Sequence, residues 1–152
     1  MPRAIEIAVF ARAPVAGAAK TRLIPALGAR GAADLHAAMV RLTLTTALAA
    51  GFGRVTLWRA GAPDHPFFAA CAWDFGVALA DQPQGDLGAR MAAAFAAAPG
   101  SLLLVGTDCP MLTPAHFAAC ATALETADAV FLPAEDGGYA LVGAPRLIPG
   151  IF

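Results

Sequence analysis

The segment ARAPVAGAAKTRL, residues 11–23, carries Arg12, Lys20 and Arg22 in one loop marked by Pro14 and Gly17. Lys20 is the only lysine among 152 residues, and charged side chains make up just 14% of the chain, so three cations this close together stand out. A guanidinium fork grips oxyanions in a plane, an ammonium offers a point charge, and glycine lets backbone approach a ligand. That chemistry suits phosphate. Arg12, Gly17, Lys20 and Arg22 are therefore candidate nucleotide- or phosphate-binding residues, and Lys20 is also a candidate catalytic group that steadies developing negative charge. A Walker-type loop would read G-x-x-x-x-G-K-[ST]. Lys20-Thr21 fits it, but Pro14 and Ala19 stand at the two glycine positions, so the strict motif fails.

Three further stretches carry polar groups of the right kind. LLLVGTDCPMLTP places Asp108 just beyond an apolar run, where one carboxylate is a natural ligand for Mg²⁺ or Mn²⁺ shared with substrate phosphates; capping a turn is its alternative role. PAEDGGYALVG combines Asp136 with Gly137 and Gly138, a strong hairpin signal. The same residues could turn glycine amides toward a ligand, with Asp136 as the candidate base and Tyr139 lining the pocket. DQPQGDLGARM offers Gln84 as a substrate contact ahead of a helix capped by Asp86, with Asp86 and Arg90 spaced to pair across one turn. The histidines, His36, His65 and His116, lack ligand spacing and read as surface or capping groups. Cys109 has no base beside it and reads as a small apolar residue.

These groups need elements to hold them. AIEIAVFA (4–11), RVTLWRA (54–60), VALAD (77–81), SLLLVGT (101–107), ADAVFLPA (127–134) and YALVGA (139–144) read as strands. Helices fall between them. One presents Leu35, Met39, Leu42 and Ala49 as its apolar stripe and stops at Gly51; PFFAACAW forms a second, shorter one. A third carries Leu87, Met91 and Phe95, and a fourth starts at Thr113-Pro114 with Phe117, Cys120, Ala121 and Leu124 inward. Alternation of this kind predicts an α/β fold, a three-layer sandwich with a mostly parallel sheet. Ligands then sit beyond the carboxyl ends of the strands, where residues 12–22, Asp108 and Asp136 all fall.

Composition sets the outer bounds. Hydrophobic residues reach 59%, but alanine alone is about a quarter of the chain, so the apolarity reflects alanine-rich helices rather than a membrane span. A net charge of −1 gives no field to recruit nucleic acid or an anionic membrane. Three cysteines without CxxC spacing argue against disulfides or zinc and fit a cytoplasmic location.

Four ordered blocks, FARAPVAGAAKTRL, QGDLGARM, VGTDCPMLT and PAEDGGYALVG, together resemble the signature of the DUF2064 family. That is a glycosyltransferase-like group, the rSAM/selenodomain-associated transferase 1 or arsenosugar-biosynthesis type, similar to the nucleotide-diphospho-sugar transferases. The resemblance implies a Rossmann-like sheet of GT-A type. By position it implies that Lys20 and Arg22 contact phosphate, that Asp108 holds a divalent cation, and that Gly137 and Gly138 lie near the substrate. The expectation is one domain over residues 1–152, short of the family's C-terminal segment, with Ile151 and Phe152 left as an apolar patch that leaves homo-oligomerisation open. The expected partners are a nucleotide or nucleotide-sugar and a small-molecule acceptor, and the expected reaction is metal-dependent glycosyl transfer. The alternatives are guanylyltransferase-like nucleotidyl transfer, a nucleotide-binding module without turnover, and a P-loop-like phosphotransferase that would depend on Thr21.

Overall fold

The computed structural model describes residues 4–152. Six strands, β1 (Ile5–Arg12), β2 (Val55–Ala60), β3 (Ala78–Asp81), β4 (Ser101–Val105), β5 (Val130–Pro133) and β6 (Tyr139–Ala144), form one sheet in the order β3-β2-β1-β4-β6-β5. β6 runs antiparallel to β4 and to β5; the other pairings are parallel. The β5–β6 pair is the hairpin that its Asp-Gly-Gly turn predicts.

Helices α1 (Ile24–Ala49), α2 (Pro66–Phe75) and α4 (Pro114–Ala123) cover one face of the sheet, and α3 (Leu87–Ala97) covers the other. Strand residues alternate between the two layers as the pleat requires. Ile7 and Val9 of β1 join Val40, Leu44, Phe68 and Phe117, whereas Ala8 and Phe10 join Met91, Ala94 and Phe95. Asp86 caps α3 by accepting the Ala89 amide at 2.8 Å, the role its position suggests. His65 caps α2 through Nδ1 and His116 accepts the Thr113 amide at the start of α4.

The phase of α1 differs from the sequence reading. Its buried side chains include Ala33, His36, Val40, Leu44 and Ala47, while Leu35 and Leu42 face outward. Bulky residues dominate a hydrophobic count, but close packing of a helix onto a flat sheet favours the small ones. The helix is also broken at Gly28, whose φ of 75° and ψ of 165° only glycine adopts at little cost. His36 is buried rather than at the surface. At the other end of the chain, the Phe152 ring packs on Phe95 with centroids 5.5 Å apart and stays 37% exposed. Among the described residues no helix is long and apolar enough to cross a membrane.

Candidate active site

Strand order reverses beside β1: the chain passes from β1 to β2 and β3 on one side, then returns to β4 on the other. The crevice at such a switch point is where open α/β sheets bind ligands. Two loops flank it. Residues 13–20 leave β1, and residues 106–113 leave β4. Across the crevice the Lys20 ammonium donates to Oδ1 of Asp108 at 2.6 Å, joining residues 88 positions apart. The two partners differ in environment. The lysine side chain is 12% exposed, whereas the aspartate side chain is 83% exposed and open to incoming ligands. Lys20 is also the only non-glycine residue with positive φ among the described residues, at 47°. Left-handed backbone costs a residue with a Cβ about 1–2 kcal/mol, and such outliers concentrate at functional sites.

Two clefts open on either side of this contact. The first, of about 300 Å³, lies at the carboxyl ends of β1, β2 and β3 and is lined by Arg12, Arg59, Asp81, Gln82, Gln84 and Arg90 among others. Arg59 is neutralised by Asp81, at 2.7 Å from Nε and 2.6 Å from Nη2. Arg90 donates to the Gly85 carbonyl at 3.0 Å and lies 3.4 Å from Gln82 Oε1, not to Asp86 as i, i+4 spacing suggests. Gln82 in turn donates to the Trp58 carbonyl. Arg12 makes no ion pair with a carboxylate among the described residues, so the cleft keeps an excess of donors and positive charge. The second cleft, of about 430 Å³, is lined by Asp108, Cys109, Met111, His116, Glu135 and Asp136. A hollow of about 450 Å³ at the opposite, amino-terminal end of the sheet receives neither loop.

The remaining candidates fall as follows. Gln84 lines the arginine-rich cleft, and Asp136 shares a cleft with Asp108. Gly17 has φ 87°, which suits glycine, and no other side chain or backbone of the protein crowds it. Arg22 is exposed on the short 3-10 turn Thr21–Leu23. The Gly138 amide donates to Asp136 at 3.0 Å, so the turn itself uses it, and Gly137 supplies the left-handed residue that turn needs, with φ 90°. Tyr139 lies in neither cleft. Its hydroxyl is 3.9 Å from Met91 Sδ and its ring packs against Phe131, on the α3 side of the hairpin. Arg59 escaped the sequence reading because an arginine at a strand end carries no motif in an arginine-rich chain.

A family model described as an uncharacterized protein conserved in bacteria, DUF2064, matches residues 43–152. The chain belongs to the DUF2064 family. The match covers β2 through β6 and the Asp108 loop of this DUF2064 protein, while Lys20 lies ahead of it. Among solved structures it is similar to a protein from Desulfovibrio desulfuricans assigned by inference to the nucleotide-diphospho-sugar transferases, with 31% identity and a TM-score of 0.80. That likeness covers 93% of this chain and 63% of the other, so the DUF2064 chain spans less than two thirds of that relative's length. It also shares its fold with 4-diphosphocytidyl-2C-methyl-D-erythritol synthase from Anaerococcus prevotii, at 11% identity and TM-score 0.63 over 95% of this chain and 72% of that one. Rv0371c from Mycobacterium tuberculosis, solved in complex with manganese, is 19% identical with a TM-score of 0.54 over 92% and 70%. These neighbours establish a Rossmann-like fold of GT-A type. No curated protein matches the sequence.

Thiol chemistry reports on the second cleft. Cys71 and Cys120 are buried, and burial raises both thiols above their ordinary range; at Cys71, Arg41 opposes this and Asp74 adds to it. Cys109 lines the cleft beside Asp108. In the native protein one thiol of the three is expected to react quickly with a disulfide reagent, with all three reacting after unfolding. Equal rates for all three in the folded state would contradict this placement.

Proposed function

We propose that this protein is a metal-dependent transferase that binds a nucleotide or nucleotide-sugar and transfers a glycosyl group to a small-molecule acceptor. The observation that carries the reading is the Lys20–Asp108 contact across the switch-point crevice, with an arginine-rich cleft on one side and an acidic one on the other. The similarity to an inferred nucleotide-diphospho-sugar transferase supports it. Arg12, Lys20 and Arg22 would hold the diphosphate, and Gln84 would contact the nucleoside. The acceptor would enter beside Asp136 and Glu135.

The donor set fits a Mg²⁺ or Mn²⁺ ion shared with substrate. Asp108 offers an exposed carboxylate, and no cluster of three or more His, Cys, Asp or Glu groups among the described residues could cage a metal without substrate. Hard divalent ions bound through one or two carboxylates plus phosphate oxygens need no such cage. The manganese complex of Rv0371c makes Mn²⁺ a natural ion to test. When bound, the cation supplies positive charge to the leaving diphosphate. The rest falls to the chain. Lys20 neutralises Asp108 in the free protein and turns to phosphate in the complex. As the acceptor oxygen bonds to the sugar carbon, the carbon–phosphate oxygen bond breaks, the diphosphate leaves with its charge held by Lys20 and the arginines, and Asp136 takes the acceptor's proton.

A thermal-shift series over nucleotides and nucleotide-sugars, with and without Mn²⁺, tests this. At a hundredfold excess over Kd, a binding ligand stabilises by about 2.7 kcal/mol, or about 5–10 °C for a chain of this size. A shift that needs the metal is expected for at least one nucleoside diphosphate or its sugar. No shift with any of them would remove the nucleotide site.

A further inference from the structure

We infer that His36 is a positioning residue that fixes the root of the phosphate loop. It lies on the buried face of α1, 6% exposed, and its Nε2 meets the carbonyl oxygen of Arg12 at 2.8 Å. A carbonyl only accepts, so Nε2 carries the proton and donates. The other buried polar side chains of α1, Thr43 and Thr46, bond the carbonyls of Met39 and Leu42 within their own helix. Of these three, His36 alone reaches off the helix.

The sheet topology explains why that carbonyl needs a partner. Amide groups of a strand face its two neighbours alternately. In β1, Ile7 and Ala13 donate to the Arg54 and Ala60 carbonyls on the β2 side, so Arg12 faces the β4 side. There the β1–β4 ladder ends at Val9 and Val105, because β4 leaves the sheet to carry Asp108. β1 therefore overruns β4 by three residues, and the separation that opens the crevice also strips the Arg12 carbonyl of a strand partner. His36 replaces it. The loop root is then clamped from both sides, by Ala13 to Ala60 at 3.0 Å and by Arg12 to His36. Arg12 at the start of the loop and Lys20 at its end keep their places across the crevice through this clamp. This role rests on the nucleotide reading above for its effect on binding, but not for its effect on the loop.

Two variants separate the hydrogen bond from packing. His36→Phe keeps the ring volume without the donor, and His36→Gln returns an amide N–H at similar reach. In the ligand-free protein, amide hydrogen exchange over residues 13–20 is expected to rise about tenfold in His36→Phe and to fall back toward wild type in His36→Gln, with β4 and β6 unchanged. Nucleotide–Mn²⁺ affinity should weaken about tenfold in the Phe variant, seen in KM more than kcat, and recover with Gln. Wild-type exchange in the loop of His36→Phe, or an equal rise throughout the sheet, would overturn the inference. Should the Phe variant not fold, His36→Leu, which also lacks the donor, decides: a rise of about tenfold confined to residues 13–20 supports the clamp, and wild-type loop exchange or an equal rise throughout the sheet overturns it. If wild type binds no nucleotide at all, the nucleotide reading fails while the exchange experiment still decides the role of His36.

Discussion

Asp108→Asn is expected to leave a folded protein with about the wild-type melting temperature and turnover reduced by about 100- to 1,000-fold. Its carboxylate is largely exposed, so the change buries no unsatisfied group, and the amide oxygen still accepts from the Lys20 ammonium, whose side chain is only 12% exposed. The neutral amide keeps the shape but loses the charge that would hold a divalent cation against the diphosphate. The metal-dependent part of nucleotide stabilisation should vanish while a weaker, metal-independent part survives through Arg12, Lys20 and Arg22. Release of nucleoside diphosphate from a nucleotide-sugar, followed with and without Mn²⁺, measures both. Turnover within threefold of wild type would place the metal elsewhere.

The second large effect concerns Lys20. Its backbone is left-handed, at φ 47°, a conformation that glycine adopts without penalty. Lys20→Gly should therefore be as stable as wild type, within about 1 kcal/mol: relief of strain offsets the lost ion pair and the added entropy of the unfolded chain. Nucleotide affinity should nevertheless fall about 10- to 100-fold, the loss of a charge-assisted contact to phosphate. Stability maintained while binding is lost marks a residue kept in strained geometry for its ligand. If Lys20→Gly instead lost more than about 2 kcal/mol and bound nucleotide normally, Lys20 would be a structural latch.

Much of this was legible in the sequence, for identifiable reasons. Unbroken apolar runs such as Ile7–Phe10 and Leu102–Val105 belong to strands buried on both faces, and polar residues that end or follow β1, β3, β4 and β5 line the two clefts. The hairpin and the Asp86 cap followed from local chemistry that tertiary packing did not override. The phase of α1 was not legible. When alanine is so abundant, the small residues that touch the sheet carry little hydrophobic weight, and Leu35 and Leu42 drew the stripe to the wrong side. Tyr139 was assigned to the pocket by adjacency to the glycine pair, yet neighbouring strand residues point to opposite faces; Ala140 lines the cleft and Tyr139 meets Met91. Arg59 and His36 act through partners 22 and 24 residues away, and nothing local announces such a pairing.

Crystals soaked in Mn²⁺ with a nucleoside diphosphate, read by the anomalous signal of manganese, address the arrangement directly. The expected map shows one manganese peak in contact with the Asp108 carboxylate, with phosphate oxygens completing its coordination and the Lys20 ammonium moved from the carboxylate to phosphate. Manganese and nucleotide bound at the amino-terminal hollow beside Arg146, with the Lys20–Asp108 pair intact, would contradict it.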